Sequence, residues 1–332
     1  MSAFLQCLSH TPLIGKLDPT ASVLDEVETY TKDARKRIEE FDPQLVVLFA
    51  PDHFMGFFHD VMPSFCIGVE AEAIGDFDTP EGPLLTDPEL AGKLAEHCLE
   101  HGVDVAVSQR MRVDHGFSQP LGRLLGGINK VPVIPVFVNS VARPLPTFQR
   151  ARVLGETIGN FCKTVDKRVL FLASGGLSHQ PPVPEYATAS ESVRQKLLGN
   201  PKLLSPEAHE AMTRRTIKAA KKFVNDQTTL HPLAPEWDLK FMNIISAGNM
   251  AELDGIANKT VTETAGASTH EVKTWVAAAS AMASFGPYDS VAQYYRPIPE
   301  WIAGYGGLTA QSQVRTRQHK SPSLVRAEVS RL

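Results

Sequence analysis

Four histidines stand a short distance beyond four apolar runs. His10 follows Phe4-Leu5-Gln6-Cys7-Leu8, and Asp52-His53 follows Leu45-Val46-Val47-Leu48-Phe49. Asp114-His115 comes soon after Val103 to Val107, and Ser178-His179 follows Val169 to Ala173 through Gly175-Gly176. An imidazole exchanges a proton near neutral pH and also ligates metals, so acid–base work and metal binding are the two chemistries on offer. Singly, each has a structural reading: His10 stabilises a turn, and His53 or His115 pairs with Asp52 or Asp114. Their common placement argues for more, because the carboxyl ends of strands meet at the edge where open α/β sheets bind ligands.

Two imidazoles and one carboxylate bind iron while leaving a coordination face open for substrate and oxygen. The best-placed carboxylate is Glu271, in Ser268-Thr269-His270-Glu271-Val272, ahead of a helix whose Val272, Trp275, Val276 and Ala279 face inward. Ser268 and Glu271 also have the S-x-x-E spacing of a helix capping box, a competing local role. If Glu271 turns toward a metal, Trp275 one turn on is expected to wall the pocket. Phe54, Phe57 and Phe58 suit either contact with an aromatic substrate or core packing. His97 and His101, four apart on a helix, share a face without an HExxH pattern, and surface placement is the ordinary explanation. His59, His209, His231, His270 and His319 carry less weight.

The elements that must position these residues alternate between strand and helix. The apolar runs named above, together with Val131 to Val138, read as strands buried on both faces. Apolar spacing predicts helices over Ser22 to Phe41, Glu89 to Glu100 and Phe148 to Val165, and a mainly helical stretch from Glu207 to Phe285. The expected class is α/β, a central largely parallel or mixed sheet flanked by helices in one large domain. Tyr294 to Trp301, rich in aromatics and proline, is expected to fold over that domain. The domain is expected to span residues 1–308. The polar remainder from Thr309, with Arg315, Arg317, Lys320, Arg326 and Arg331, reads as a solvated, flexible basic tail.

Composition narrows the function classes. Thirty-three Lys and Arg against 37 Asp and Glu give a net charge of -4, without the concentrated basic footprint of a nucleic-acid binder. No run of 18 apolar residues suggests a membrane span, and the first residues lack a secretion-signal pattern. Cys7, Cys66, Cys98 and Cys162 lie too far apart in sequence for a close metal pair or a secreted disulfide framework. A cytoplasmic location is the simplest expectation.

One family carries this pattern throughout. The ordered set Cys7-Leu8-Ser9-His10, Pro51-Asp52-His53, Val113-Asp114-His115-Gly116-Phe117, Ser174-Gly175-Gly176-Leu177-Ser178-His179, His270-Glu271-Val272-Lys273-Thr274-Trp275 and Tyr294-Tyr295-Arg296-Pro297-Ile298-Pro299-Glu300-Trp301 resembles the class III, or type II, extradiol dioxygenases. The resemblance covers nearly all residues before the tail. It implies Fe(2+) held by His10, His53 and Glu271, with His115 and His179 as acid–base residues, His179 accepting a substrate proton and His115 guiding or returning one. It further implies a small catecholic acid and O2 as reactants, the acid being 3-(2,3-dihydroxyphenyl)propionate or 2,3-dihydroxycinnamate. A homo-oligomer, a tetramer or larger, is implied too. Arg110, Arg112, Lys130 and Arg296 are the cations considered for the substrate carboxylate, each with a solvated or structural alternative. A zinc hydrolase and an inactive metal-binding module are the competing readings; metal content and oxygen uptake separate them from the dioxygenase.

Overall fold

Four of the five apolar runs fold as expected, as strands covered on both faces. In a computed structural model, residues 2–201 and 205–313 are described. The chain runs through β1 (Ala3–Leu8), α1 (Ala21–Phe41), β2 (Leu45–Ala50), β3 (Phe65–Gly68), β4 (Ala71–Ile74), β5 (Glu81–Pro83), α2 (Pro88–Glu100), β6 (Ala106–Ser108) and β7 (Met111–Val113). It continues with α3 (His115–Leu125), β8 (Val133–Val138), α4 (Phe148–Cys162), β9 (Val169–Ser174) and α5 (Glu191–Leu197). The last third holds α6 (Pro206–Asn225), α7 (Pro235–Ala247), α8 (Asn258–Ala265), α9 (Val272–Ala283), β10 (Tyr288–Ile298) and β11 (Ala303–Ser312).

Eight strands form a mixed sheet in the order β10-β11-β1-β9-β2-β8-β3-β6. Its centre, β1, β9, β2 and β8, is parallel. β11 runs antiparallel to β1 and β10, and β3 antiparallel to β8. Alternate side chains enter opposite layers: Leu5, Cys7, Val47 and Phe49 pack with α4 and α9, whereas Phe4, Leu8, Val46 and Leu48 pack with α1 and α3. Each such fully buried side chain contributes about 1.5–3 kcal/mol.

Helix α9 is buried from Val272 to Met282, and glycines on α4 let it come close. A Cβ on Gly155 or Gly159 would collide with the carbonyl oxygen of Ala277 or Ala281. The alanine-rich composition of α9 is therefore a packing requirement, not a membrane signal. No helix among the described residues is long and apolar enough to cross a membrane. The four cysteines are buried free thiols.

Three expectations need correction. Val103 and Val105 are buried, but the strand there begins only at Ala106. Tyr294 to Ile298 is part of strand β10, where Pro297 lies opposite Gly304. A boundary at residue 309 cuts through β11: Thr309 and Ala310 are fully buried, and Phe4 pairs with Gln311. The basic residues from Arg315 onward lie outside the described residues.

Candidate active site

Parallel pairing sets the His10 and His179 loops side by side. Leu8 is in register with Ser174, so the chain leaving β1 meets the end of β9, and His10 Nδ1 lies 2.8 Å from Ser174 Oγ. The β9 exit continues through Gly175-Gly176 to His179, whose Nδ1 is 2.7 Å from the Leu177 carbonyl oxygen. A carbonyl only accepts, so this nitrogen carries a proton and Nε2 faces the site.

Two aspartates shape the β2 exit. Asp52 accepts backbone N–H bonds from Met55, Gly56 and Phe57 at 2.8–3.1 Å, which closes the turn after His53. Asp114 does three jobs while fully buried: one oxygen caps α3 by accepting from the Gly116 N–H at 2.9 Å, and the other accepts from the backbone N–H of His53 and meets its Nδ1, both at 2.8 Å. Removing an N-cap of this kind costs about 1 kcal/mol before any effect on His53.

His115 arrives from a second sheet. Strands β5, β4 and β7 form a separate three-stranded sheet in which β4 and β7 are parallel, Ala73 opposite Val113. The loop after β4 therefore delivers Asp76 beside the loop after β7, and His115 Nδ1 lies 2.5 Å from Asp76 Oδ2. The His115 ring stacks on His53 with centroids 4.5 Å apart and meets His10 edge-on at 5.3 Å.

Glu271 closes the group. It ends a single 3-10 turn, Thr269–Glu271, ahead of α9. The capping-box alternative does not form: Ser268 makes no side-chain cap bond, and Glu271 Oε2 instead accepts from the Gly176 N–H at 2.8 Å. A Cβ on Gly175 would come within 2.9 Å of Glu271 Cβ, and one on Gly176 within 2.6 Å of His179 Cε1, so both glycines are needed for the approach. Glu271 oxygens lie 3.6 Å from His10 Nε2, 3.3 Å from His53 Nε2 and 3.2 Å from His179 Nε2.

Burial and charge act against each other here. Burial disfavours ionised Glu271, but the imidazoles of His179 and His10 outweigh it and hold the carboxyl well below its usual range. Burial also disfavours protonated His53, yet Asp114 and Glu271 raise it well above an ordinary histidine. His179 is raised as well, Glu271 overcoming burial. His10 is pushed down to about 3, chiefly by burial. Two buried carboxylates thus draw positive charge to a point ringed by imidazole Nε2 atoms.

A metal ion fits that point. Each imidazole has its Nδ1 engaged by Ser174, Asp114, Asp76 or Leu177, an arrangement that fixes the ring and leaves Nε2 as donor to a metal. Ligands about 2.1 Å from an ion and at right angles are separated by about 3 Å, close to the spacings around Glu271. Two triads share His10 and His53: one completed by Glu271, whose Oε2 approaches His10 and Oε1 His53, the other by His115, whose ligand atom lies within 4.8 Å of both histidines.

The sequence matches the family model described as the catalytic LigB subunit of aromatic ring-opening dioxygenase over residues 4–306. The chain belongs to that family. The resemblance to extradiol dioxygenases is therefore borne out at the level of family and of enzyme class. Among its relatives, a Pseudomonas putida protein named 2,3-dihydroxyphenylpropionate/2,3-dihydroxicinnamic acid 1,2-dioxygenase 1 is 58% identical over 312 residues, covering 94% of this chain and 99% of its own. Proteins with the corresponding name from Klebsiella pneumoniae and Escherichia coli are 56% and 57% identical, covering 95% and 94% of this chain and 100% of theirs.

In this member of the family the five expected residues line the floor of one cavity of about 290 Å³. Phe54 and Phe58 join its wall, whereas Phe57 stacks on Phe137 in the core, centroids 3.9 Å apart. Phe54 (φ 60°), Phe77 (φ 52°) and Ile302 (φ 53°) all line it in left-handed backbone, a strain of about 1–2 kcal/mol each that the surrounding packing must hold. Trp275 does not wall the cavity; it is fully buried and its Nε1 donates to the Gly175 carbonyl, bracing the glycine turn from behind. Arg110, Arg112, Lys130 and Arg296 are all absent from the lining, and Arg296 pairs with Glu26. Among the described residues the Lys and Arg side chains in the lining are Lys196 and Arg215, which sequence reasoning passed over. It also passed over Asp76, in a loop without periodicity to mark it.

Proposed function

We propose that this chain is an iron(II)-dependent extradiol dioxygenase that opens 3-(2,3-dihydroxyphenyl)propionate and 2,3-dihydroxycinnamate beside the hydroxyl pair. The products are 2-hydroxy-6-oxonona-2,4-dienedioate and its unsaturated counterpart; both atoms of O2 enter the product and every carbon is kept. The observation that carries the reading is the convergence of four imidazoles and one buried carboxylate on the floor of a cavity with largely apolar walls, in a chain more than half identical to relatives named for these substrates.

His10, His53 and Glu271 would hold the iron. When bound, it brings catechol and oxygen together and makes a spin-restricted reaction accessible. Glu271 is preferred to His115 as third ligand because a carboxylate offsets the charge of a dication, and because the Gly176 N–H fixes one of its oxygens.

The remaining work is proton handling. His179 has an acceptor near each ring nitrogen, the Leu177 carbonyl and Glu271, so it takes up a second proton readily and suits the removal of a catechol proton. His115 has Nδ1 anchored on Asp76, which fixes its tautomer and leaves Nε2 to guide or return a proton as the ring opens. The walls, Phe54, Phe58 and Phe77 among them, exclude water and bracket an aromatic ring.

Anaerobically iron-loaded protein given 3-(2,3-dihydroxyphenyl)propionate is expected to consume one O2 per substrate and yield a yellow product heavier by two oxygen atoms. Cleavage between the hydroxyls, or no oxygen uptake with full iron occupancy, would sink the reading.

A further inference from the structure

The proposed substrate carries a carboxylate on a two-carbon arm, and the floor of the cavity is the wrong place for it. Glu271 is already there, with Asp114 behind His53 and Asp76 behind His115. A second anion beside these buried carboxylates would be repelled across a low-dielectric space. The arm must point the other way.

The other end of the cavity is built by α5 and α6. Val193, Leu197 and Met212 give it an apolar wall, continued by Pro182 and Val183. Beyond them, Lys196 at the end of α5 and Arg215 in the middle of α6 line the cavity while remaining exposed to solvent. Neither has a carboxylate partner among the described residues, whereas cations next to them are engaged. Arg214 pairs with Glu210, and Arg194 donates to the carbonyls of Tyr186 and Ala187 and lies over the Tyr186 ring. The cavity is therefore graded, with imidazoles and a carboxylate at the floor, apolar walls between, and two uncommitted cations at the rim.

The geometry points to Lys196 and Arg215 as the pair that receives the substrate's side-chain carboxylate and so sets the preference for acidic over neutral catechols. This rests on the substrate reading given above. Arg215 offers a planar fork matched to a carboxylate and Lys196 a compact charge. Exposed ion pairs are weak, but two cations acting on one carboxylate, one of them through a bidentate fork, make this one stronger. The arm is not altered in the reaction, so both residues act on binding.

The test uses two catechols of nearly the same shape, 3-(2,3-dihydroxyphenyl)propionate and its primary amide, with iron-loaded full-length protein. The wild type is expected to favour the acid. In Arg215→Ala and in Lys196→Ala the acid-to-amide ratio of kcat/KM should fall about tenfold, and in the double variant about a hundredfold. The loss should appear in KM for the acid, and Arg215→Lys should recover part of it. Lys218→Ala, on the same helix but facing a separate groove with Lys221 and Asn225, should keep the wild-type ratio. An unchanged ratio in the double variant overturns the assignment, as does an equal fall with acid and amide, which would mean that these residues only hold α5 and α6 in place. If iron-loaded wild type opens the amide but not the acid, the assignment fails while ring opening stands. If it opens neither, the substrate reading fails and takes this assignment with it.

Discussion

The floor and the rim of the cavity are made by opposite rules. At the floor, each side chain is held by at least one buried partner brought from far along the chain: Asp114 to His53 across 61 residues, Ser174 to His10 across 164, Gly176 to Glu271 across 95. At the rim, α5 and α6 present exposed side chains, and the two cations there have no partner among the described residues. The difference separates tasks. Bond making tolerates little positional error, since a displacement of about 1 Å can remove about 10² in rate. Recognition of a charged group at the end of a flexible arm tolerates far more, and solvent can share the load.

Substitutions at the floor should therefore act on chemistry and metal, and those at the rim on selectivity. The largest effect is expected for Glu271→Gln, which should lose both bound iron and turnover, whereas His115→Gln should keep iron and lose about 10²–10⁴ in turnover, as should His179→Gln. Metal analysis of each folded variant beside its oxygen-uptake rate decides the matter. Iron retained in Glu271→Gln but lost in His115→Gln would replace the carboxylate triad with the three-histidine one.

Next in size is Asp76→Asn. The amide keeps the shape but loses the charge opposite His115 Nδ1, and turnover should fall about 10- to 100-fold with iron content near normal, the scale seen when a residue behind an active imidazole is changed. Normal turnover would show that the stacking of His115 on His53 suffices to orient it. The rim variants come after this in effect on the preferred substrate.

The smallest effect on activity belongs to the packing behind the floor. Gly155→Ala should destabilise the fold by about 1–3 kcal/mol, because α9 must move off α4. Turnover per folded, iron-loaded molecule should change less than in any floor variant. Denaturant unfolding read beside the rate checks this, and a large loss of turnover without loss of stability would show that α9 transmits small shifts to Glu271.

Much of the floor was legible in sequence because parallel strands expose their ends at one edge, so a histidine just past an apolar run is informative. This works for His10, His53 and His179, which follow β1, β2 and β9. It misplaces His115, because β7 is three residues long and belongs to the other sheet, too short to stand out from the Val103 to Val107 run. The spacing of Ser268 and Glu271 was legible but ambiguous. Only the tertiary contact with Gly176 shows that the carboxylate turns away from the helix start. Lys196 and Arg215 carried no signal at all: on amphipathic helices they look like any of the 33 basic residues, and only the cavity distinguishes them.

Strands β1 and β11, the first and last of the described strands, lie together in the sheet, with Phe4 opposite Gln311 and Ser312 Oγ bonded to the Ala3 carbonyl at 3.3 Å. During synthesis, then, the strand leading to His10 waits for its antiparallel neighbour until every helix from α1 to α9 has been translated. The imidazoles of His10, His53, His115 and His179 all precede Glu271, so a nascent chain carries the nitrogen donors long before the carboxylate that completes the group. Translation order alone delays assembly of the reactive centre until the surrounding walls are nearly complete.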